Sequence, residues 1–500
     1  MIPSQGLQRD LAIVTGLFAA STLLYALLGV RFDPSQLASM QFIDEPLLAN
    51  RLLESLWYYH ATPPLLNLLT GIGLKLFGAH ANWFFIACFH ALALLVAFCI
   101  YALTERLSGS RIAALITAGV VVFSPSFVLY QNWLQYEFPA SSLLVLSTFA
   151  LYQFVRTKST KWCATFCALL AVLALTRSLF HLAWVILVVA LLAVIVRERR
   201  WQILMAAALP VLVIASWYGK NYFLFGRFAA SSWMGLGLSN ISTLMVPKQE
   251  LIPLVEQGKL TTWAVISRYE HMDVLFLSRQ TPPTGIPVLD AVRKSNGEFN
   301  FNHRDLPIVD RYYTADAIEV IRTFPALYVI GLIISNRIYF SPTNMNMFFS
   351  DANRQAVRPM EWIFNPLLAG ARPTARLVQQ PHYGFEGPRR YTVEVNTGVP
   401  LIVAWCLVFG FGYMRARRNL RAADPDAQAR AVVTGFIVMT AAYLYVLSTA
   451  IELAENSRYR FEIEPLFIVL AATAITVLVR SVRERLATRR PAAAKLGETS

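Results

Sequence analysis

Apolar runs separated by short polar breaks recur near residues 11–29, 82–104, 112–130, 138–155, 162–176, 179–196, 202–219, 399–414, 431–450 and 465–479. Each reads as a membrane crossing, for which about 20 predominantly apolar residues are typical. Lipid offers no partner to a backbone amide, so such runs predict helices. The expected fold class is an all-α polytopic membrane protein, a helix bundle of about ten spans. Two shorter apolar stretches, 65–78 and 324–340, are ambiguous between crossing the bilayer and lying on it. Counting either one alone as a crossing would put basic loops on the wrong side, so both are expected along the outer surface or dipping into it.

Charge gives the orientation. Every second loop is basic: Arg106 and Arg111; Arg156, Lys158 and Lys161; Arg197, Arg199 and Arg200; Arg415, Arg417, Arg418 and Arg421; then the Arg-rich tail from Arg480. The bias of Lys and Arg toward cytoplasmic loops puts both termini in the cytoplasm. Segments 30–81, 220–398 and 451–464 then face outward. The expected organisation is an N-terminal transmembrane module (1–219) with its first outer loop at 30–81, and an extracytoplasmic insertion (220–398) carrying an interfacial helix at 324–340. C-terminal spans (399–482) and a basic tail (483–500) complete it.

Composition supports a membrane reading over a soluble one: 56% of the 500 residues are hydrophobic and 15% charged. The net charge of +14 sits mostly in loops between apolar runs, so it orients the chain in a bilayer rather than signalling nucleic acid. The first run shows no clear cleavage site and is expected to remain as an anchor. Cys88, Cys99, Cys163, Cys167 and Cys406 lie inside apolar runs and read as small hydrophobes. His60, His80, His271, His303 and His382 lack ligand spacing, and there is no phosphate-binding loop, dinucleotide fingerprint or nucleophile elbow, so no metal site is assigned. Any chemistry is therefore expected outside, on material already carried across the membrane.

The outer segments hold the candidate groups. Asp33 lies in the first, followed by Asp44-Glu45-Pro46 at the start of a helical stretch to Tyr59, and then His60. Asp44 reads equally as a helix N-cap. Glu137 is a carboxylate at the mouth of a span, where the bland alternative is pairing with the helix dipole. Arg177 falls at the outer end of a hairpin, against the positive-inside bias; it needs an anionic partner, or snorkels to lipid headgroups. The last outer loop carries Glu452, Glu455, Arg458, Arg460, Glu462 and Glu464. If the segment is extended, Arg458 and Arg460 both reach one phosphate, with the carboxylates holding them in place; the alternative is a solvated, self-paired loop.

The arrangement resembles the polyprenyl-phosphate-sugar-dependent glycosyltransferases of the GT-C fold, among them protein O-mannosyltransferase, aminoarabinose transferase and rhizobial galacturonosyltransferase relatives. The residues that carry the likeness are Asp44-Glu45, His60 to Leu65 with Pro63-Pro64-Leu65, Leu74 to Gly78, Leu175-Thr176-Arg177, Asn221-Tyr222 through Arg227, and Ser457 to Arg460 running to Pro465. Ala61 and Thr62 stand between His60 and the proline pair, and the insertion at 228–398 aligns with nothing in the family. The resemblance implies inverting transfer of a sugar from a polyprenyl-phosphate donor to a lipid, glycan or protein hydroxyl, at the periplasmic face of a bacterial inner membrane. It makes Asp44 the general base, with Glu45 and then Asp33 behind it. Arg177, Arg458 and Arg460 would hold the lipid phosphate, with Lys220 and Arg227 as further candidates. Glu137 and His60 would bind substrate. No cofactor is assigned; the family leaves a divalent metal open. The alternatives are a transporter or flippase of lipid-linked sugars, and a polymerase or ligase using diphosphate-linked glycans. Spans almost free of central ionisable residues favour a surface enzyme over a conduit.

Overall fold

A computed structural model describes residues 5–39, 41–266, 282–346, 348–369 and 399–496. His271, His382 and the end of the insertion, 370–398, lie outside these. The helices are α1 (Gln5–Leu28), α2 (Glu45–Asn50), α3 (Leu52–Trp57), α4 (Leu65–Phe77), α5 (Ala81–Ser108), α6 (Arg111–Phe123), α7 (Pro125–Gln131), α8 (Glu137–Thr157), α9 (Thr160–Thr176), α10 (Leu182–Ile195) and α11 (Arg200–Phe225). They continue as α12 (Met234–Ile241), α13 (Lys248–Glu256), α14 (Pro287–Asp290), α15 (Leu306–Thr323), α16 (Pro325–Tyr339), α17 (Asp351–Ala356), α18 (Arg358–Ala369), α19 (Val399–Asn419), α20 (Pro425–Ile451), α21 (Asn456–Phe461) and α22 (Glu464–Leu496). Among the described residues there is no sheet, only isolated bridges at Asp33–Trp133 and Arg293–Phe299.

Among the described residues seven helical stretches are long and apolar enough to cross a membrane, or up to nine if each of two bent pairs counts as one span. Together with the pair α6–α7 and the shorter α9 and α10, the seven account for the ten apolar runs of the sequence. At 1.5 Å per residue, α10 is about 21 Å long, short of a hydrocarbon core of about 30 Å. The ambiguous run at 65–78 forms α4, which a turn at Gly78 (φ +51°) folds against α5, so that Gly73 packs on the Phe84 and Phe85 rings. The other, α16, meets α15 at 107°. Phe324-Pro325 explains that corner, because a proline starts a helix but cannot continue one from the preceding turn. Ser124-Pro125 likewise bends α6 against α7 by 57°.

The bundle is built around α8: in its apolar window 72% of residues are buried, against 17% in α1 and 22% in the stretch containing α11. The two outer members therefore present their side chains to lipid. Cross-links identify two ends. At one, Arg111 pairs with Asp10, Arg156 with Asp426, Lys158 with Glu198, and Arg415 donates to the Leu107 carbonyl. At the other, Tyr25 donates to the Phe123 carbonyl, Tyr443 to that of Leu179, and Arg177 pairs with Glu462. The insertion packs on this second end, where Asn302 accepts from the His60 amide and Asn353 bonds both backbone groups of Arg31.

Candidate active site

Three short connections at the insertion end bring charged groups into one buried cluster. Glu137 opens α8 and is fully buried. Arg177 sits between α9 and α10 in extended conformation, Arg458 lies on α21, and Glu462 precedes α22. Arg177 Nε donates to Glu462 Oε1 at 2.8 Å, and its Nη1 lies 3.8 Å from Glu137 Oε1. Arg458 Nε lies 3.3 Å from the same Glu137 oxygen, while its Nη2 reaches Glu455 Oε2 at 2.9 Å and the Tyr136 hydroxyl at 3.1 Å. Tyr136 and Tyr459 close the cluster: the Arg177 guanidinium stands 4.0 Å from the centre of the first ring and 4.9 Å from the second, distances at which a ring quadrupole attracts a cation.

Three carboxylates thus face two guanidinium groups, only Glu455 being partly exposed, and the set is not saturated. Neither oxygen of Glu137 has a hydrogen bond of normal geometry, nor does Arg177 Nη2, Arg458 Nε or Glu462 Oε2. Burial pushes the Glu462 carboxyl up to about 7 despite the pull of Arg177. Burial opposes the charge on Arg177 too, but Tyr136, Glu462 and Glu137 outweigh it and hold it raised. Two guanidinium groups thus keep unspent N–H donors among three carboxylates, so the cluster carries no net positive charge of its own.

Arg460 is not part of the cluster. The segment expected to be extended is helical, and residues two apart on a helix do not share a face. Arg460 turns the other way, donating to the carbonyls of Tyr339 and Ser341, both at 2.8 Å, and pairing with Glu464 at 3.0 Å. It ties the end of α16 to the bundle.

The first outer segment lies beside the cluster. Asp33 pairs through its backbone with 132–134, and its carboxylate accepts from the Ser35 amide. Gln41 connects the layers: its carbonyl accepts from the Tyr59 hydroxyl at 2.7 Å and its side chain from Gln135, which in turn accepts from the Tyr136 amide. Asp44 occupies the N-cap position of α2, yet its side chain makes no cap hydrogen bond. Instead its two oxygens accept from the Ser295 hydroxyl at 2.6 Å and the Ser295 amide at 3.0 Å. Beside it Lys294 donates to the Ser39 carbonyl, and burial pushes this ammonium down to about 8, with Asp44 pulling the other way. Glu45, in the first turn of α2, is exposed.

The remaining candidates hold backbone. His60 is buried; its Nδ1 is 2.7 Å from the Ser232 hydroxyl and its Nε2 3.1 Å from the Asn302 carbonyl. A carbonyl only accepts, so Nε2 carries the proton and Nδ1 accepts from Ser232. Burial, assisted by Lys220, drives this imidazole down to about 3 and keeps it neutral. Lys220 donates to the Tyr59 carbonyl and sits 3.5 Å over the Trp217 ring. Arg227 pairs with Asp310 of α15. The structure therefore groups Glu137, Arg177 and Arg458, and places His60, Lys220, Arg227 and Arg460 in separate structural contacts. Tyr136, Tyr459 and Gln41 were not singled out by sequence; the aromatic flanks of Glu137 and Arg458 were the available signal. Ser295 and Lys294 gave none. Among the described residues no cluster of His, Cys, Asp and Glu is arranged to hold a metal.

Residues 61–218 match the sequence model of the family described as "Dolichyl-phosphate-mannose-protein mannosyltransferase". No curated protein matches the chain. Two similar solved structures are ArnT from Cupriavidus metallidurans bound to undecaprenyl phosphate and the same protein in the apo state. The first is 17% identical with a TM-score of 0.35, the second 14% with 0.29, and in both the alignment covers 90% of this chain and 77% of the other. Both superpositions are loose and neither bears on the site. The segment similar to that family contains Glu137 and Arg177, two members of the buried cluster.

Proposed function

We propose that this chain is an integral membrane glycosyltransferase that moves a sugar from a polyprenyl-phosphate donor to an acceptor hydroxyl, with inversion, at the outer face of a bacterial inner membrane. The observation that carries the reading is the buried pair Arg177 and Arg458, each keeping one nitrogen without an acceptor, inside or beside a segment that matches a lipid-phosphate-sugar transferase family. The acceptor oxygen attacks the anomeric carbon as the bond from that carbon to the phosphate oxygen breaks. The electron pair leaves with the polyprenyl phosphate, and the acceptor proton passes to a carboxylate. Cations at the leaving phosphate stabilise the charge that develops there. Glu137 keeps both guanidinium groups in place until the phosphate oxygens engage them.

Asp44 is the proposed base. Ser295 fixes its orientation through two hydrogen bonds, and a carboxylate has further lone pairs with which to take a proton. Glu45 and Asp33 stand behind it in that order. Segments 30–81 and 220–398 would form the outer layer over the bundle, with donor phosphate on one side and the acceptor, whether lipid, glycan or protein, on the other. In the test, purified protein receives a panel of polyprenyl-phosphate sugars and release of free polyprenyl phosphate is followed. Asp44→Asn is expected to abolish release while insertion and expression are unchanged. Full activity in Asp44→Asn would remove this residue from the role.

A further inference from the structure

We infer that this chain holds a second lipid, one with a hydroxyl-bearing head, in a groove between α1 and α6 that is separate from the arginine cluster. The groove has a volume of about 570 Å³ and is lined by Ile13 and Leu17 of α1 and by Leu115, Ile116, Val120 and Phe123 of α6. That volume is within the range of ligand clefts, about 300–1,000 Å³. From Leu115 to Phe123 it follows α6 for about 12 Å at 1.5 Å per residue. Gly119 lies on its floor. A Cβ there would meet only Leu17 Cδ1 at 3.8 Å, an ordinary contact, so packing does not demand a glycine. The missing side chain keeps the groove open.

What covers this apolar surface is indicated at its end toward the insertion. Phe364 of α18 lines both the groove and a small polar cleft of about 10 Å³ formed where α6 breaks into α7 and where 343–344 and Asn365 approach. A space of that size takes one water-sized group. Asn344 and Asn365 are 2% and 4% exposed, and Asn344 Oδ1 and Asn365 Nδ2 have no hydrogen-bond partner. Asn344 Nδ2 is already committed to Glu361 at 2.6 Å. The cleft therefore presents one buried acceptor and one buried donor, each costly to leave unmet.

These two atoms select the chemistry of the head. Arg460 borders the cleft, but its charge is paired with Glu464, which lines the same cleft, and three of its five N–H groups are used on Tyr339, Ser341 and Glu464, so no unpaired cation is offered. A fully ionised phosphate supplies acceptors only and leaves Asn344 Oδ1 unmet. A hydroxyl donates to Asn344 and accepts from Asn365 at once. The occupant is thus a lipid whose head carries sugar or glycerol hydroxyls, with one hydrocarbon chain lying along α6, and not the phosphate of the proposed donor.

Native mass spectrometry of the full chain, taken from phosphatidylcholine nanodiscs doped with monoglucosyl diacylglycerol or, in a parallel arm, phosphatidic acid of the same chains, reads this directly. Wild-type protein should retain the glucolipid over phosphatidic acid by about fivefold, the factor one net hydrogen bond of about 1 kcal/mol supplies. Gly119→Phe, which fills the groove, should lose both lipids. Asn365→Leu should keep the chain but lose the preference, and decides the matter if Gly119→Phe does not fold. Equal retention of the two lipids by wild type, a preference for phosphatidic acid, or an undiminished preference in Asn365→Leu overturns the proposal. None of these outcomes depends on sugar transfer.

Discussion

Both ends of the bundle carry arginine–carboxylate pairs, and they differ in one respect. At the basic end the Arg156 and Asp426 side chains are 38% and 43% exposed, whereas Arg177 and Glu462 at the insertion end are 6% and 0% exposed. An exposed pair gains little, because water screens it and two long side chains must be ordered. A buried pair carries a desolvation cost that its attraction often fails to offset. The exception at the basic end is Asp10, whose side chain is 6% exposed, but it is fully paired, with Arg111 and the Tyr101 hydroxyl. The other end retains a costly and incompletely paired arrangement, which the proposed function assigns to the donor phosphate.

The largest effect should come from breaking the buried set. Arg177→Ala leaves Glu137 and Glu462 without their shared partner, and removing one member of a buried pair costs about 3–5 kcal/mol. Denaturation of the detergent-solubilised variant checks this, and a loss below about 1 kcal/mol, the scale of an exposed pair, would erase the distinction between the ends.

A smaller, pH-dependent effect has opposite signs at two buried positions, His60 and Glu462. His60 is held at about 3 in the folded protein against 6.5 when free, so its contribution is intact above 6.5 and lost as pH falls toward 3. The stability difference between His60→Gln and wild type should move in favour of the variant by about 1.4 kcal/mol for each pH unit below 6.5. Glu462, raised from 4.5 to about 7, contributes below 4.5 and loses that contribution as pH rises to 7. Glu462→Gln should therefore gain on wild type as pH rises through that window. Thermal midpoints from pH 4.5 to 7.5 test both slopes, and parallel profiles for all three proteins would contradict them. The smallest effect belongs to Arg156→Ala at the basic end, about 1 kcal/mol or less and weaker still in high salt.

The spans were legible because lipid forces an apolar run wherever a helix crosses. Glu137 and Arg177 were legible for the same reason, since a charge at the mouth of an apolar run needs a partner. The sequence could not say that their partners would be each other, because side chains from α8, the α9–α10 turn and α21 meet only after the bundle closes. Arg458 and Arg460 looked equivalent when read as a strand. As a helix, the six residues of α21 send one guanidinium into the cluster and the other to α16. Asp44 carried a cap signature, and only the folded insertion brings Ser295 to it across 251 residues. Within 220–398 the apolar run at 324–340 announced one helix, and α16 (Pro325–Tyr339) forms there; the other helices of 228–398 have neither a long apolar period nor a family likeness and were not foreseen.

The most direct test is donor turnover by Arg458→Ala compared with wild type and Arg458→Lys, each purified as a monodisperse, folded protein. The account expects polyprenyl phosphate to be released by wild type, to be nearly lost in Arg458→Ala, and to be partly restored in Arg458→Lys, because lysine returns the charge without the fork. Release by Arg458→Ala at the wild-type rate, with unchanged apparent affinity for the donor, would contradict it.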